Sequence, residues 1–238
     1  MIDFGIEKIV TLCKEFGLEL DDTAVSRLNL YGNLLLEWNQ KINLTAITEP
    51  QDVLYKHFYD SLLFFKAVKV ERNAKIIDVG TGAGFPGMVL KIARPDINLT
   101  LLDGLNKRLI FLADVLDKLN LEAELVHARA EEGGKSEKYR EKFDFSCARA
   151  VANLPVLSEY CIPFVKKGGY FVALKGATAK EETASAQNAY KLLGCEKPTI
   201  ICETLTGNEE RAFVIAKKIS QTPTKYPRHG NKITKSAL

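Results

Sequence analysis

Ten residues, Asp78 to Gly87, read DVGTGAGFPG, and they carry the densest chemical signal in the chain. Glycines here permit a sharp turn and let a ligand approach the backbone closely. Pro86 suits the start of a helix. Gly82, Gly84 and Gly87 also spell a literal G-x-G-x-x-G, the cradle of a dinucleotide pyrophosphate. Charge argues against that ligand, because Asp78 closes the preceding strand where it would repel a pyrophosphate. S-adenosylmethionine has no phosphate there, and its sulfonium and ammonium suit a carboxylate. Asp78, Gly80, Gly82 and Gly84 are therefore candidate contacts of that cofactor.

Asp103 closes the next strand, 19 residues past Gly84. It can accept both ribose hydroxyls of a nucleoside, which would serve NAD equally, or it can cap the turn before Gly104. After a third strand comes Ala130-Glu131, placed to read an adenine edge or simply to put acid at a helix N-terminus. The fourth strand runs into Ala148-Arg149-Ala150, where such folds hold the methyl acceptor. The Asn/Asp-Pro-Pro-aromatic motif of amine methylation is absent, and so is the Pro-Cys of pyrimidine-C5 methylation. Cys147 stands close by and reads as a small buried strand residue. A ring nitrogen such as guanine N7 has no proton to lose, so it needs alignment and dryness rather than a base.

These residues require a scaffold that brings strand ends together. Short apolar strands at 75–79, 98–103, 123–127, 143–148 and 170–175 alternate with helices at 86–94, 105–119, 154–164 and 178–193. The expected fold is α/β: a doubly wound, mostly parallel seven-stranded sheet of the class I methyltransferase, Rossmann-like kind, with ligands beyond the strands' C-terminal ends. Two last strands, 199–205 and 212–217, lack an intervening helix and can pair antiparallel at an edge. Residues 1–70 read as a helical extension packed on the main domain. Its second helix has Val25, Leu28, Tyr31, Leu35 and Trp38 at helical spacing behind a cap at Asp21 or Asp22, and a third runs from Pro50 to Ala67. The methyltransferase domain spans 71–220 and a basic tail 221–238.

The composition, 46% apolar with net charge +3, is that of a globular protein with a large core. Nothing at the N-terminus reads as a signal peptide, and no run is long enough to suggest a membrane span. Five scattered cysteines and three histidines lack disulfide or metal spacing, so no metal is expected, and a reducing cytoplasm is. From Arg211 onward there are seven Lys/Arg and no acid, against 26 basic and 30 acidic residues before it. That asymmetry suits a polyanionic partner or a solvated tail.

Taken together, the segments 38–45 (WNQKINLT), 57–62 (HFYDSL), 78–87, 102–108 (LDGLNKR), 129–131 (RAE), 148–151 (ARAV), 174–176 (LKG) and 226–228 (YPR) resemble the bacterial 16S rRNA (guanine-N7)-methyltransferase G family, also called glucose-inhibited division protein B. The match covers nearly the whole chain. The resemblance implies methylation of N7 of the guanine at conventional position 527 in the 530 loop of 16S rRNA, alone or in the small ribosomal subunit. It implies S-adenosylmethionine contacts at Gly80, Phe85, Ala130, Glu131 and Arg149. The family's C-terminal prolines are missing from Arg228 to Leu238, although Arg228, Lys235 and Leu238 stay in register.

The expected mechanism is direct in-line attack without a general base. Arg149 contacts the cofactor or orients the guanine. Lys175 meets a phosphate or forms a local ion pair. Asn43, His57, Asp60, Arg228 and Lys235 are candidate RNA contacts. His57 and Asp60 share a helix face, and a polar network locking the helices to the domain is the other role open to them. A monomer is expected. The rivals are a small-molecule or protein methyltransferase, a cytosine-C5 enzyme using Cys147, a non-catalytic assembly factor and an NAD oxidoreductase.

Overall fold

The computed structural model describes residues 2–205 and 209–238. Helices α1 (Glu7–Lys14) and α2 (Asp22–Asn39) come first. Asp21 caps α2, its carboxylate accepting from the Ala24 amide at 2.7 Å. The expected third helix is a composite: α3 (Pro50–Asp52), a π-helical stretch (Val53–Tyr59), α4 (Asp60–Leu62) and α5 (Phe64–Ala67). Single-turn π segments widen a helix and turn its side chains; this one carries His57 and ends against Asp60.

The βα repeat then follows: β1 (Lys75–Val79), α6 (Gly87–Ala93), β2 (Asn98–Asp103), α7 (Asn106–Leu119), β3 (Glu124–His127), α8 (Ala130–Gly133), β4 (Phe143–Arg149), α9 (Leu154–Cys161), β5 (Val165–Lys175), α10 (Ala179–Ser185), α11 (Gln187–Leu193), β6 (Thr199–Thr204), β7 (Glu210–Lys217) and α12 (Gly230–Lys235). The sheet has seven strands in the order β3-β2-β1-β4-β5-β7-β6, parallel except for β7, which runs antiparallel to both neighbours. The fold class is as expected. β7 lies inside the sheet, and β6 forms the edge. The expected helix at 178–193 is two helices meeting at Ala186, and β5 starts five residues before the expected 170.

Strand order reverses between β1 and β4, where Asp78 pairs in register with Cys147. That switch point opens a crevice at the C-terminal strand ends. One face of the sheet shares a continuous apolar core with the N-terminal helices, running from Phe4 through Tyr31, Phe58, Phe85 and Phe111 to Phe213. The other face packs under α9 and α11 with Tyr226 from the C-terminal stretch.

Candidate active site

The glycine loop is held from both sides. The amides of Gly80 and Thr81 donate to Leu102 O at 2.8 and 3.1 Å. Asp78, wholly buried, accepts from Thr81 Oγ1 at 2.7 Å and the Gly87 amide at 2.9 Å, both through Oδ2. Burial pushes its carboxyl up to about 6, against the pull of those two hydrogen bonds and of Arg149. Its Oδ1 is buried without a hydrogen-bond partner among the described residues. A lone buried carboxylate oxygen at a strand end suits a cationic ligand group such as an ammonium.

Gly84, at φ 97°, is obligatory for a second reason. A methyl group there would stand 2.6 Å from Tyr31 Oη, 2.7 Å from Met88 Cγ and 2.8 Å from Leu112 Cδ2. Tyr31, from α2, donates its hydroxyl to Ala83 O and packs on Phe85 at 5.4 Å between ring centres. Gly82, at φ 60°, has open space where a side chain would be, which leaves its backbone approachable.

Asp103 is 2% exposed. Oδ2 accepts from the Gly82 amide at 2.9 Å and Oδ1 from the Leu105 amide at 2.8 Å, while Arg108 lies 3.2 Å from Oδ2. The carboxylate thus ties the glycine loop to the β2 turn, and Arg108 is its one side-chain partner among the described residues. Glu131, on α8, is nearly buried, and its carboxylate lies against Gly230 at the start of α12.

At the β4 end, Arg149 is the centre of a network. Nη1 donates to Lys56 O and Asp60 Oδ2, each at 2.8 Å, and Nη2 to His57 Nδ1 at 2.9 Å. Its guanidinium sits 4.9 Å from the Phe85 ring centre, and His57 stacks on the same ring at 4.3 Å. Arginine only donates, so Nδ1 accepts and the His57 proton resides on Nε2, which donates to Thr45 Oγ1 at 2.9 Å. Burial, with Arg149 adding to it, pushes the His57 pKa down to about 3, so the ring stays neutral through the ordinary histidine range. Asp60, 2% exposed, also has Arg211 Nε 3.2 Å from Oδ1, an ion contact poorly aligned for a hydrogen bond.

The expected residues thus divide. Asp78, the glycines, Phe85 and Asp103 meet at the β1 and β2 ends, and His57 and Asp60 both reach Arg149 as their shared helix face implies. Lys175 Nζ pairs with Glu182 Oε2 at 2.7 Å and donates to Ala152 O at 3.1 Å. Asn43 and Lys235 are exposed. Arg228 is bound to Glu159 through three contacts of 2.7 to 3.1 Å. Lys218, fully buried, is held by Glu141, Thr222 and two carbonyls. Of the seven basic residues from Arg211 onward, Lys217, Lys225, Lys232 and Lys235 remain exposed. Cys147 is wholly buried and its thiol pKa raised well above the ordinary value by burial, which leaves no accessible thiolate. Thr45, Arg211, Glu182 and Tyr31 were not singled out from sequence as site residues; their pairings join different elements of the fold, which no periodicity within one element reveals.

The sequence model of the rRNA small subunit methyltransferase G family matches residues 24–212, a span holding both the glycine loop and the Arg149 network. The chain belongs to that family. Ribosomal RNA small subunit methyltransferase G of Alkaliphilus metalliredigens is 50% identical over 218 residues, 91% of each chain. The protein of that name from a Thermoanaerobacter species is 50% identical over 236 residues, 98% of each. Among solved structures, a precorrin-6y C5,15-methyltransferase from Geobacter metallireducens aligns with a TM-score of 0.53 at 15% identity, covering 74% of this chain and 91% of its own. A SAM-dependent O-methyltransferase from Thermotoga maritima gives 0.52 at 15%, covering 79% and 73%. These two likenesses concern the fold alone. Membership in the family decides for methyl transfer over the hydride chemistry that the literal G-x-G-x-x-G leaves open. No described helix is long and apolar enough to cross a membrane.

Proposed function

We propose that this methyltransferase uses S-adenosylmethionine to methylate N7 of the guanine at conventional position 527 in the 530 loop of 16S rRNA, in the cytoplasm. Family membership supports the RNA substrate, and the observation that carries the chemistry is the state of the Arg149 network. Its one histidine is neutral, has both ring nitrogens engaged and titrates near 3. N7 presents a lone pair and loses no proton, so the reaction asks no proton transfer of this histidine. The cofactor, when bound, supplies a methyl group on a sulfonium; the N7–carbon bond forms as the carbon–sulfur bond breaks, and the electron pair leaves with sulfur.

In this reading Asp78 meets the ammonium through Oδ1, Gly80, Gly82 and Gly84 give the ligand close backbone approach, and Phe85 offers a ring. Asp103 binds the ribose after exchanging Arg108 for the hydroxyls. Ala130 and Glu131 read the adenine edge. Arg149, fixed by His57 and Asp60, aligns cofactor and base. Asn43, Lys175, Arg228 and Lys235 complete the RNA surface, with Arg228 acting through its hold on the C-terminal segment.

The test is transfer from radiolabelled S-adenosylmethionine to unmodified small subunits and to their naked RNA, mapped by borohydride–aniline cleavage. One cleavage in the 530 loop is expected. Label at any other atom overturns the assignment. Cys147→Ser should leave transfer unchanged, and loss of activity there would revive cytosine-C5 chemistry.

A further inference from the structure

We infer that the cavity at the ends of β4 and β5 receives the target guanine, and that Lys175 and Glu182 together read its Watson–Crick edge. The inference rests on the guanine assignment above. The cavity measures 370 Å³ and is lined by His57, Arg149, Ala150, Lys175, Thr178 and Glu182 among others. That is enough for one purine. Arg149 and Ala150 join it to the cofactor side of the crevice.

Lys175 and Glu182 touch at 2.7 Å and are partly exposed, at 12% and 20% of their side chains. Side by side, an ammonium and a carboxylate present a donor followed by two acceptors. Guanine's edge is the complement: O6 accepts, N1–H donates and the exocyclic amine donates. Adenine opposes the first two positions and uracil the third. Cytosine carries the same pattern as the pair and is rejected throughout. Holding the base by this edge leaves N7, next to O6, untouched for reaction.

Glu182 is also held in place by its neighbours. Glu182 Oε2 accepts from the Leu154 amide at 2.9 Å, and Oε1 accepts from Thr178 Oγ1 at 2.9 Å. Burial raises the Glu182 carboxyl, but Lys175, the Leu154 amide and Thr178 outweigh it and leave the pKa below its ordinary value. The group is therefore an ionised acceptor at neutral pH. Each carboxylate oxygen takes two donors, so Oε1 has a place open now. Oε2 gains one when Lys175, on its flexible stem, swings to O6.

The experiment uses small subunits reconstituted with 16S RNA that carries guanosine or inosine at the target, inosine lacking only the amine. Single-turnover methyl transfer is measured for the wild type and Glu182→Gln, with S-adenosylmethionine affinity as a check on folding. The wild type should be slower on inosine by about 20-fold, within the range for one lost hydrogen bond to a charged group. In Glu182→Gln the guanosine rate should fall and the preference shrink to about threefold or less. A variant that slows both substrates equally and keeps the preference shows a structural Glu182 and overturns the inference. A wild type indifferent to inosine overturns it whether or not the variant folds. Absence of N7 methyl on the guanosine subunits overturns the guanine assignment itself, and this inference with it.

Discussion

The two halves of the crevice are built differently. At the ends of β1 and β2 the geometry is backbone geometry: glycines at positive φ, amides aimed at carbonyls, and two buried carboxylates, Asp78 and Asp103, that tie loop to loop. At the ends of β4 and β5 it is side-chain geometry: Arg149, Asp60, Arg211, Lys175 and Glu182 form ion pairs and His57 accepts a hydrogen bond from Arg149, much of it brought in by the N-terminal helices. Backbone contacts define one shape for one invariant ligand. Paired charges can exchange partners, which suits a surface that must accept a base from a large polyanion and release it.

Breaking the second half at its centre should have the largest effect. Arg149→Ala leaves Asp60 buried beside Arg211 alone, and unfolding titrations should show a loss of about 4 kcal/mol, the scale for breaking a buried pair. Arg149→Lys should recover little, because an ammonium cannot span the three acceptors; full recovery would mean that the network is only charge neutralisation.

The corresponding break in the first half is Gly84→Ala. Strain at φ 97° and the collision with Tyr31, Met88 and Leu112 together should cost about 3 kcal/mol. If Tyr31→Phe added to Gly84→Ala relieves none of it, the close fit is not the cause.

Acidity separates the halves with opposite signs. Asp78 is raised to about 6 when folded, so the native state holds its proton more tightly than the unfolded one. Its contribution is complete below about pH 4 and lost as pH rises through 6, a span of about 3 kcal/mol. His57 is lowered to about 3, so its contribution is complete above about 6.5 and is lost as pH falls toward 3. Between pH 4 and 6 each masks the other. Stability curves of Asp78→Asn should steepen the acid loss and those of His57→Gln should flatten it; parallel curves for all three proteins would contradict both shifts.

Smaller effects probe the ligands. Asp103→Asn should weaken S-adenosylmethionine binding by about 2 kcal/mol, read by calorimetry, and undiminished affinity would remove the ribose role. Replacing Lys225, Lys232 and Lys235 by Ala should flatten the slope of log affinity for RNA against log salt by about 2, at roughly 0.7 per phosphate contact. An unchanged slope would assign these lysines to solvent.

The parallel strands and their order of appearance were legible in the sequence because each is a short apolar run with a turn signal behind it. Asp78 and Asp103 were legible because they sit at strand ends. What was hidden depends on pairings between different elements of the fold. Nothing local marks Val53–Tyr59 as π-helical or pairs Thr45 with His57, Arg211 with Asp60 or Lys175 with Glu182. Charge counting overstates the free positive charge for the same reason, since Arg211, Lys218 and Arg228 are spent inside the fold on Asp60, Glu141 and Glu159. The resemblance located the network's members, and the fold supplied their partners.

The notch left by Gly84 and filled by the Tyr31 hydroxyl has a consequence for modularity. The α/β repeat starting at Lys75 looks portable, yet its glycine loop is moulded against a side chain from α2, and Phe85, Phe111 and Leu112 share that helix's core. A chimera grafting this sheet onto foreign helices would inherit a loop with an empty socket and an uncovered apolar face. Helices and sheet can be exchanged between relatives only as a matched set, like a key and the lock cut for it.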